Sequence, residues 1–107
     1  MRSKTRPTAK QKRFWDWVAR QPCIICAREP VEVHHVLGST AKENGVAIGQ
    51  WCVLPVCHKC HTDEIPVTDK QTQVLLFVRT LLREYWRKFR EVPLTADELM
   101  AVLTWRR

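Results

Sequence analysis

The chain has little glycine (3) and proline (6) among its 107 residues, and only 11 acidic residues against 18 lysines and arginines. So few glycines and prolines exclude collagen-like and low-complexity architectures, and a hydrophobic fraction of 45% with five tryptophans excludes a disordered polymer. No apolar run approaches the roughly 18 to 20 residues of a membrane span, and the first twenty residues lack the apolar stretch of a signal peptide. These absences lead to the expectation of a cytoplasmic chain without a membrane partner, folded as one domain over residues 1–107. A domain this small buries limited apolar area, so a structural metal would supplement its core.

The charge that is present lies at the two ends. Residues 1–20 carry +6, residues 21–68 carry −2 and residues 69–107 carry +3, for a net +7. Basic flanks around a mildly acidic middle suit a polyanion held on either side of a cation site, and also suit a solvated basic surface.

Residues 1–7 read as a basic arm, and Thr8 as the N-cap of a tryptophan-bearing helix that Pro22 must stop. Residues 31–36 alternate as a short strand, 38–50 read as a loop, and 51–56 form a second apolar strand with Pro55 best placed at its end. Cys57 opens a short helix limited by Pro66. From Asp69 to about Arg90 the periodicity is helical, with Val74, Val78, Leu81 and Tyr85 on the core face and Leu75, Leu82 and Phe89 beside it at heptad spacing. Arg79, Arg83, Arg87 and Arg90 form a stripe away from that face, available to phosphate or solvated alongside a Glu84–Lys88 pair. Thr95 and Glu98 have the capping-box form, opening a final helix with Leu99, Val102, Leu103 and Trp105 as its apolar residues.

Two Cys-x-x-Cys pairs, Cys23/Cys26 and Cys57/Cys60, stand thirty residues apart. Each has the spacing that turns two thiolates toward one tetrahedral ion, and four thiolates make a closed structural zinc site with no corner left for water. Disulfides compete poorly with this reading, given an odd cysteine count and no secretory signal. Cys52, the fifth, reads as a small buried hydrophobe. His34 and His35 lie together on the first strand and His61 directly follows the last zinc cysteine, whereas His58, inside the knuckle, is expected to face solvent.

In order, Cys-x-x-Cys, Val33-His34-His35 and Leu54-Pro55-Val56-Cys57-x-x-Cys60-His61 resemble the HNH, or ββα-metal, nuclease family in its zinc-knuckled form. The resemblance spans Cys23 to His61 and looks most like short phage and prophage members related to RecA-dependent recombination-enhancement nucleases. It implies an α+β fold. A small ββα-metal core with a four-cysteine zinc site over residues 23–65 would follow an N-terminal helix and precede a long and a short helix over residues 69–105. It also implies a metal-dependent endonuclease of low sequence specificity in which His35 is the general base. His34 and His61 would ligate one catalytic Mg²⁺ or Mn²⁺, and Cys23, Cys26, Cys57 and Cys60 would hold structural Zn²⁺. Two imidazoles favour transition metals over Mg²⁺. DNA is the implied substrate, with a recombinase filament as a further partner in a bacterial host. Arg2, Lys4, Arg6, Lys10, Lys12, Arg13, Arg79, Arg83 and Arg87 are the candidate backbone contacts.

Two positions depart from the family pattern. Cys52 stands where an Asn usually lies, nine residues before the last histidine, and Ile65 stands where many relatives place a third ligand, leaving Asp63, Glu64 or water for that role. A regular strand also sends His34 and His35 to opposite faces, so their convergence requires a twist or bend before Gly38. The alternative function is a non-catalytic zinc-stabilised nucleic-acid-binding module. A base deaminase is excluded by the order Glu32-Val33-His34, which is not His-x-Glu, and a RING-like domain by its need for eight interleaved ligands.

Overall fold

In the computed structural model, which describes residues 8–38, 41–43 and 46–104, Thr8 caps helix α1 (Ala9–Ala19) as the sequence predicts. Its hydroxyl accepts from the Gln11 amide while the Gln11 side chain accepts from the Thr8 amide, at 3.2 and 2.9 Å. The basic arm with Arg2, Lys4 and Arg6, residues 39–40 and 44–45, and Trp105 lie outside the described residues. Helix α1 buries Phe14, Trp17 and Val18 and leaves Lys10, Lys12 and Arg13 exposed.

Strand β1 (Glu32–His35) pairs antiparallel with β4 (Val53–Val56), His34 opposite Leu54 and His35 opposite Val53. Every residue of β4 is buried, including Pro55, which lies within the strand, opposite Val33. Proline is tolerated because a two-stranded sheet has only edges, and the Pro55 carbonyl is turned to the first knuckle, accepting from the Ile24 amide at 2.9 Å. The stretch expected as a plain loop contains a second, two-residue pairing of β2 (Lys42–Glu43) with β3 (Val46–Ala47), and Ile48 after it is fully buried.

Helix α2 (His58–Asp63) is followed by a 3-10 turn (Ile65–Val67) that takes Pro66 at its start. Asp69 then caps α3 (Lys70–Leu76), which runs through a π-helical segment (Phe77–Leu82) into α4 (Arg83–Phe89), ended by Arg90 at φ 52°. Val74, Phe77, Leu81 and Tyr85 are buried, and Val78 and Leu82 half-buried. Of the row beside the core face, Leu75 and Phe89 are exposed, because it runs along the edge of that face, while Phe77, three residues after Val74 and four before Leu81, lies on the face itself. Glu84 pairs with Arg87 at 3.8 Å rather than with Lys88, whose ammonium lies 5.6 Å from the Phe89 ring centre.

Helix α5 (Ala96–Leu103) opens with the predicted capping box of Thr95 and Glu98 and buries Ala101 and Val102. Leu99 is partly buried, and Leu103, the helix's last residue, is exposed. The two capping boxes meet: Gln11 Nε2 donates to Glu98 Oε2 at 3.4 Å, joining α1 to α5. The main core gathers Phe14, Ile48, Trp51, Leu54 and Phe77, with Phe14 edge-on to both Phe77 and Tyr85. A smaller cluster contains Cys23, Val56, Cys57, Cys60 and Ile65.

Candidate functional site

The two knuckles form by local hydrogen bonding. Ala27 turns back through a positive φ of 67°, its amide donating to the Cys23 carbonyl at 2.8 Å, while the Ile25 amide donates to Cys23 Sγ at 3.4 Å. Cys57 is the N-cap of α2, and its sulfur accepts from the Cys60 amide at 3.5 Å. The sulfurs of Cys23, Cys26, Cys57 and Cys60 all lie within 4.8 Å of one another, and Cys26 and Cys57 are 3.6 Å apart. Four thiolates about 2.3 Å from a tetrahedral Zn²⁺ stand about 3.8 Å apart, so the cluster could hold a metal such as zinc. Cys52 is not among them: it is fully buried in the main core, and burial pushes its thiol up to about 12.

One residue after Cys60, helix α2 presents His61. Its Nε2 lies 3.1 Å from Nδ1 of His34 on β1, and the ring centres are 4.9 Å apart. The other nitrogen of each ring has a fixed partner. Gln73 on α3 is buried, and its Nε2 donates to the carbonyls of Thr68 at 2.9 Å and Ile65 at 3.4 Å. Gln73 Oε1 is thus left as an acceptor, and His34 Nε2 donates to it at 2.9 Å. On the other side, His61 Nδ1 donates to Glu32 Oε1 at 2.6 Å, and His58 Nδ1 donates to Glu32 Oε2 at 3.0 Å. Those two hydrogen bonds hold the Glu32 carboxyl below its ordinary range. Burial pushes His34 down from 6.5, against the raising effect of its Gln73 bond, so its ring is neutral at pH 7.

In these tautomers two lone pairs face each other across 3.1 Å. That contact is repulsive unless a cation or proton lies between them. Two nitrogens each about 2.1 Å from one ion, at 90–109°, stand about 3.0–3.4 Å apart, so His34 and His61 could hold a divalent cation. Among the described residues no carboxylate joins them from the expected positions: Ile65 is buried in the small apolar cluster, Asp63 lies 3.9 Å from Lys59, and Glu64 is exposed.

Among the described residues His35 makes no hydrogen bond to this pair, although its charge is felt by His34. Its ring meets Trp15 of α1 edge-on, centres 5.5 Å apart, and Trp15 is itself fixed by donation from Nε1 to the Gln50 carbonyl at 2.7 Å. His35 Nε2 is buried without a hydrogen-bond partner among the described residues, and burial pushes the ring's pKa down from 6.5. Lys10, Lys12, Arg13, Arg79, Arg83 and Arg87 are all exposed; Arg13 pairs with Glu91 at 3.3 Å. Glu32 and Gln73 were missed by sequence reasoning. Glu32 could have been found from its i, i+2 relation to His34, and Gln73 as a polar residue four before Phe77 on a buried helix face.

A family model described as "Recombination enhancement, RecA-dependent nuclease" matches residues 7–105. The chain is also 34% identical over 71 residues to the uncharacterized protein YdfU of Escherichia coli (strain K12), a match covering 63% of this chain and 20% of that protein's length. No solved structure matches. Among the described residues no helix is long and apolar enough to cross a membrane.

Proposed function

Because the chain belongs to the family of RecA-dependent, recombination-enhancement nucleases, we propose that it hydrolyses DNA phosphodiester bonds through an HNH-type centre. In that centre His34 and His61 hold one Mg²⁺ or Mn²⁺, and His35 is the general base. The observation that carries this reading is the pair of converging ring nitrogens 3.1 Å apart, each ring held by a partner on its far side. When bound, a divalent cation supplies charge neutralisation at the attacked phosphate and the leaving 3′ oxygen.

The chain's own residues do the rest. Glu32 and Gln73 fix the two ligand rings in the tautomers that leave Nε2 of His61 and Nδ1 of His34 free to coordinate. His35, neutral at pH 7, takes the proton from water. Its Nε2 is shut away from solvent, so the accepting atom is Nδ1, and the ring is steadied by Trp15 in place of the side-chain carbonyl that an Asn at Cys52 would offer. The thiol cluster, filled by Zn²⁺, anchors the N-terminus of α2 and hence His61. The exposed basic residues of α1 and α4 suit a phosphate backbone read without base specificity, and a recombinase filament on that DNA is the partner the family description points to.

Nicking of supercoiled plasmid with added Mn²⁺ or Mg²⁺, alone and with a recombinase filament on the DNA, tests the proposal. Cleavage is expected to need a divalent cation and to fall about 10²–10⁴-fold in His35→Ala. Cleavage surviving that substitution removes the proposed base. No cleavage with any cation or partner leaves the zinc-stabilised binding module.

A further inference from the structure

The long helix has a face that the histidine pair does not use. Along α4 and its cap, Arg83, Trp86, Arg87 and Arg90 follow at i, i+3, i+4 and i+7, which places them on one side. All four are exposed, whereas Tyr85 on the opposite side is buried against Phe14 and Trp17. Trp86 keeps 45% of its surface in solvent, and Phe89 beside it keeps 47%. The Arg90 guanidinium lies over the Trp86 ring, 5.5 Å from its centre. Arg87 has only the exposed Glu84 pair, and Arg79, Arg83 and Arg90 have no carboxylate partner among the described residues.

A row of arginines alone is an ordinary solvated helix face, and one exposed tryptophan alone is unremarkable on any surface. Their interleaving is more specific, because a cationic row centred on an open indole complements a ligand carrying both phosphates and accessible π faces. A duplex buries its base faces in the stack, whereas a single strand exposes them. We propose that this face binds single-stranded nucleic acid, with Trp86 stacking on a base and Arg83, Arg87 and Arg90 meeting the flanking phosphates. The inference rests on the nuclease reading only in taking a polynucleotide as the ligand. The same helix supplies Gln73 to His34, and the 13 residues from Gln73 to Trp86 span about 20 Å of helix axis. A strand held on α4 therefore lies several nucleotides away from the histidine pair.

The test is fluorescence anisotropy of a labelled 20-nucleotide oligo-dT, and of a duplex of equal length, with the full chain and no added divalent cation. Tighter binding of the single strand is expected. Trp86→Ala should weaken it about 5- to 150-fold, and Trp86→Phe but not Trp86→Leu should restore it, since stacking is worth about 1–3 kcal/mol per base. Arg83→Ala with Arg87→Ala should lower the salt slope by about 1.4. Equal or tighter binding of duplex overturns the proposal, as does a Trp86→Ala chain of unchanged circular dichroism and unchanged affinity. Binding to a purified recombinase in the absence of DNA, lost in Trp86→Ala while oligo-dT binding persists, makes the face a protein-docking surface and also overturns it. Trp86-dependent oligo-dT binding by a chain that never nicks DNA sinks the nuclease reading alone; nicking without such binding sinks this one alone.

Discussion

The four thiols and the two facing histidines share helix α2 and both join segments far apart in sequence, yet each thiol pair is shaped by its own neighbours whereas each histidine is oriented by a distant partner. Each knuckle is closed within four residues by amide-to-sulfur and amide-to-carbonyl bonds. The histidines meet across 27 residues and are oriented by Glu32, 29 residues from His61, and by Gln73, 39 residues from His34. The donor sets differ as well. Four sulfurs fill a tetrahedron and leave nothing for a substrate, whereas two nitrogens leave most of a coordination sphere open. A closed site substitutes for apolar core in a small domain; an open one requires its geometry to be imposed from outside, which is what the long-range partners do.

The largest effect should come from breaking the side that the other depends on. Cys60→Ser removes one thiolate from the small cluster and loosens the helix that carries His61. Loss of the structural ion should cost more than about 3 kcal/mol, a fall in Tm of more than about 12 °C for a domain of this length. Calorimetry with metal quantitation checks this. Unchanged Tm with no bound zinc in either protein would mean that the cysteines pack without a metal.

The converse substitutions should spare the fold. Gln73→Leu releases His34 Nε2 and Glu32→Gln removes the ionised acceptor of His61, and each should weaken Mn²⁺ binding about 10–100-fold while the zinc content stays the same. Isothermal titration of Mn²⁺ into zinc-loaded protein separates the two sites. If Glu32→Gln weakened zinc binding and left Mn²⁺ binding alone, the division between the clusters would be wrong.

The same contrast governs what could be read from sequence. Both knuckles were legible because Cys-x-x-Cys encodes its own geometry over four residues, and the capping boxes at Thr8 and Thr95 for the same reason. The placement of His34 beside His61 became legible only through resemblance, since nothing local to either residue specifies the other. Gln73 and Glu32 were missed because their roles depend on how α3 and β1 are packed, a property of tertiary register. How far the row of Leu75, Leu82 and Phe89 beside the core face is covered depends on packing and not on period: Leu82 is half-buried and the other two are exposed. Trp86 is not marked by the arginine row, because the spacing of the charges specifies a cationic face and nothing about the residue between them.

Cys52 sharpens the comparison as a thiol outside the metal cluster. Its folded pKa of about 12 stands above the ordinary 9.0 because of burial. Above pH 9 the unfolded chain ionises this thiol while the folded chain keeps its proton, so stability falls as pH rises through the window from 9 to 12. At pH 10 the loss is about 1 kcal/mol. Urea titrations of wild type and Cys52→Ala between pH 8 and 10 should converge by about that amount as the pH rises, since the zinc cysteines are common to both. Parallel curves would mean that Cys52 is not held in an apolar site.

The smallest effect belongs to the polar pair that joins distant segments without serving a candidate ligand. Gln11 Nε2 meets Glu98 Oε2 at 3.4 Å, a long hydrogen bond between two residues already engaged in capping their own helices. A double-mutant cycle with Gln11→Ala and Glu98→Ala should give a coupling under about 1 kcal/mol in urea unfolding, with each single change costing about 1 kcal/mol through its capping box. Neither change should alter Mn²⁺ affinity. This pair is the control for Glu32 and Gln73, because all three contacts link remote segments and only two hold a proposed ligand ring. If the Gln11–Glu98 changes weakened Mn²⁺ binding as much as Gln73→Leu does, the long-range partners of the histidines would be acting through general stability, and the orienting role assigned to them would fail.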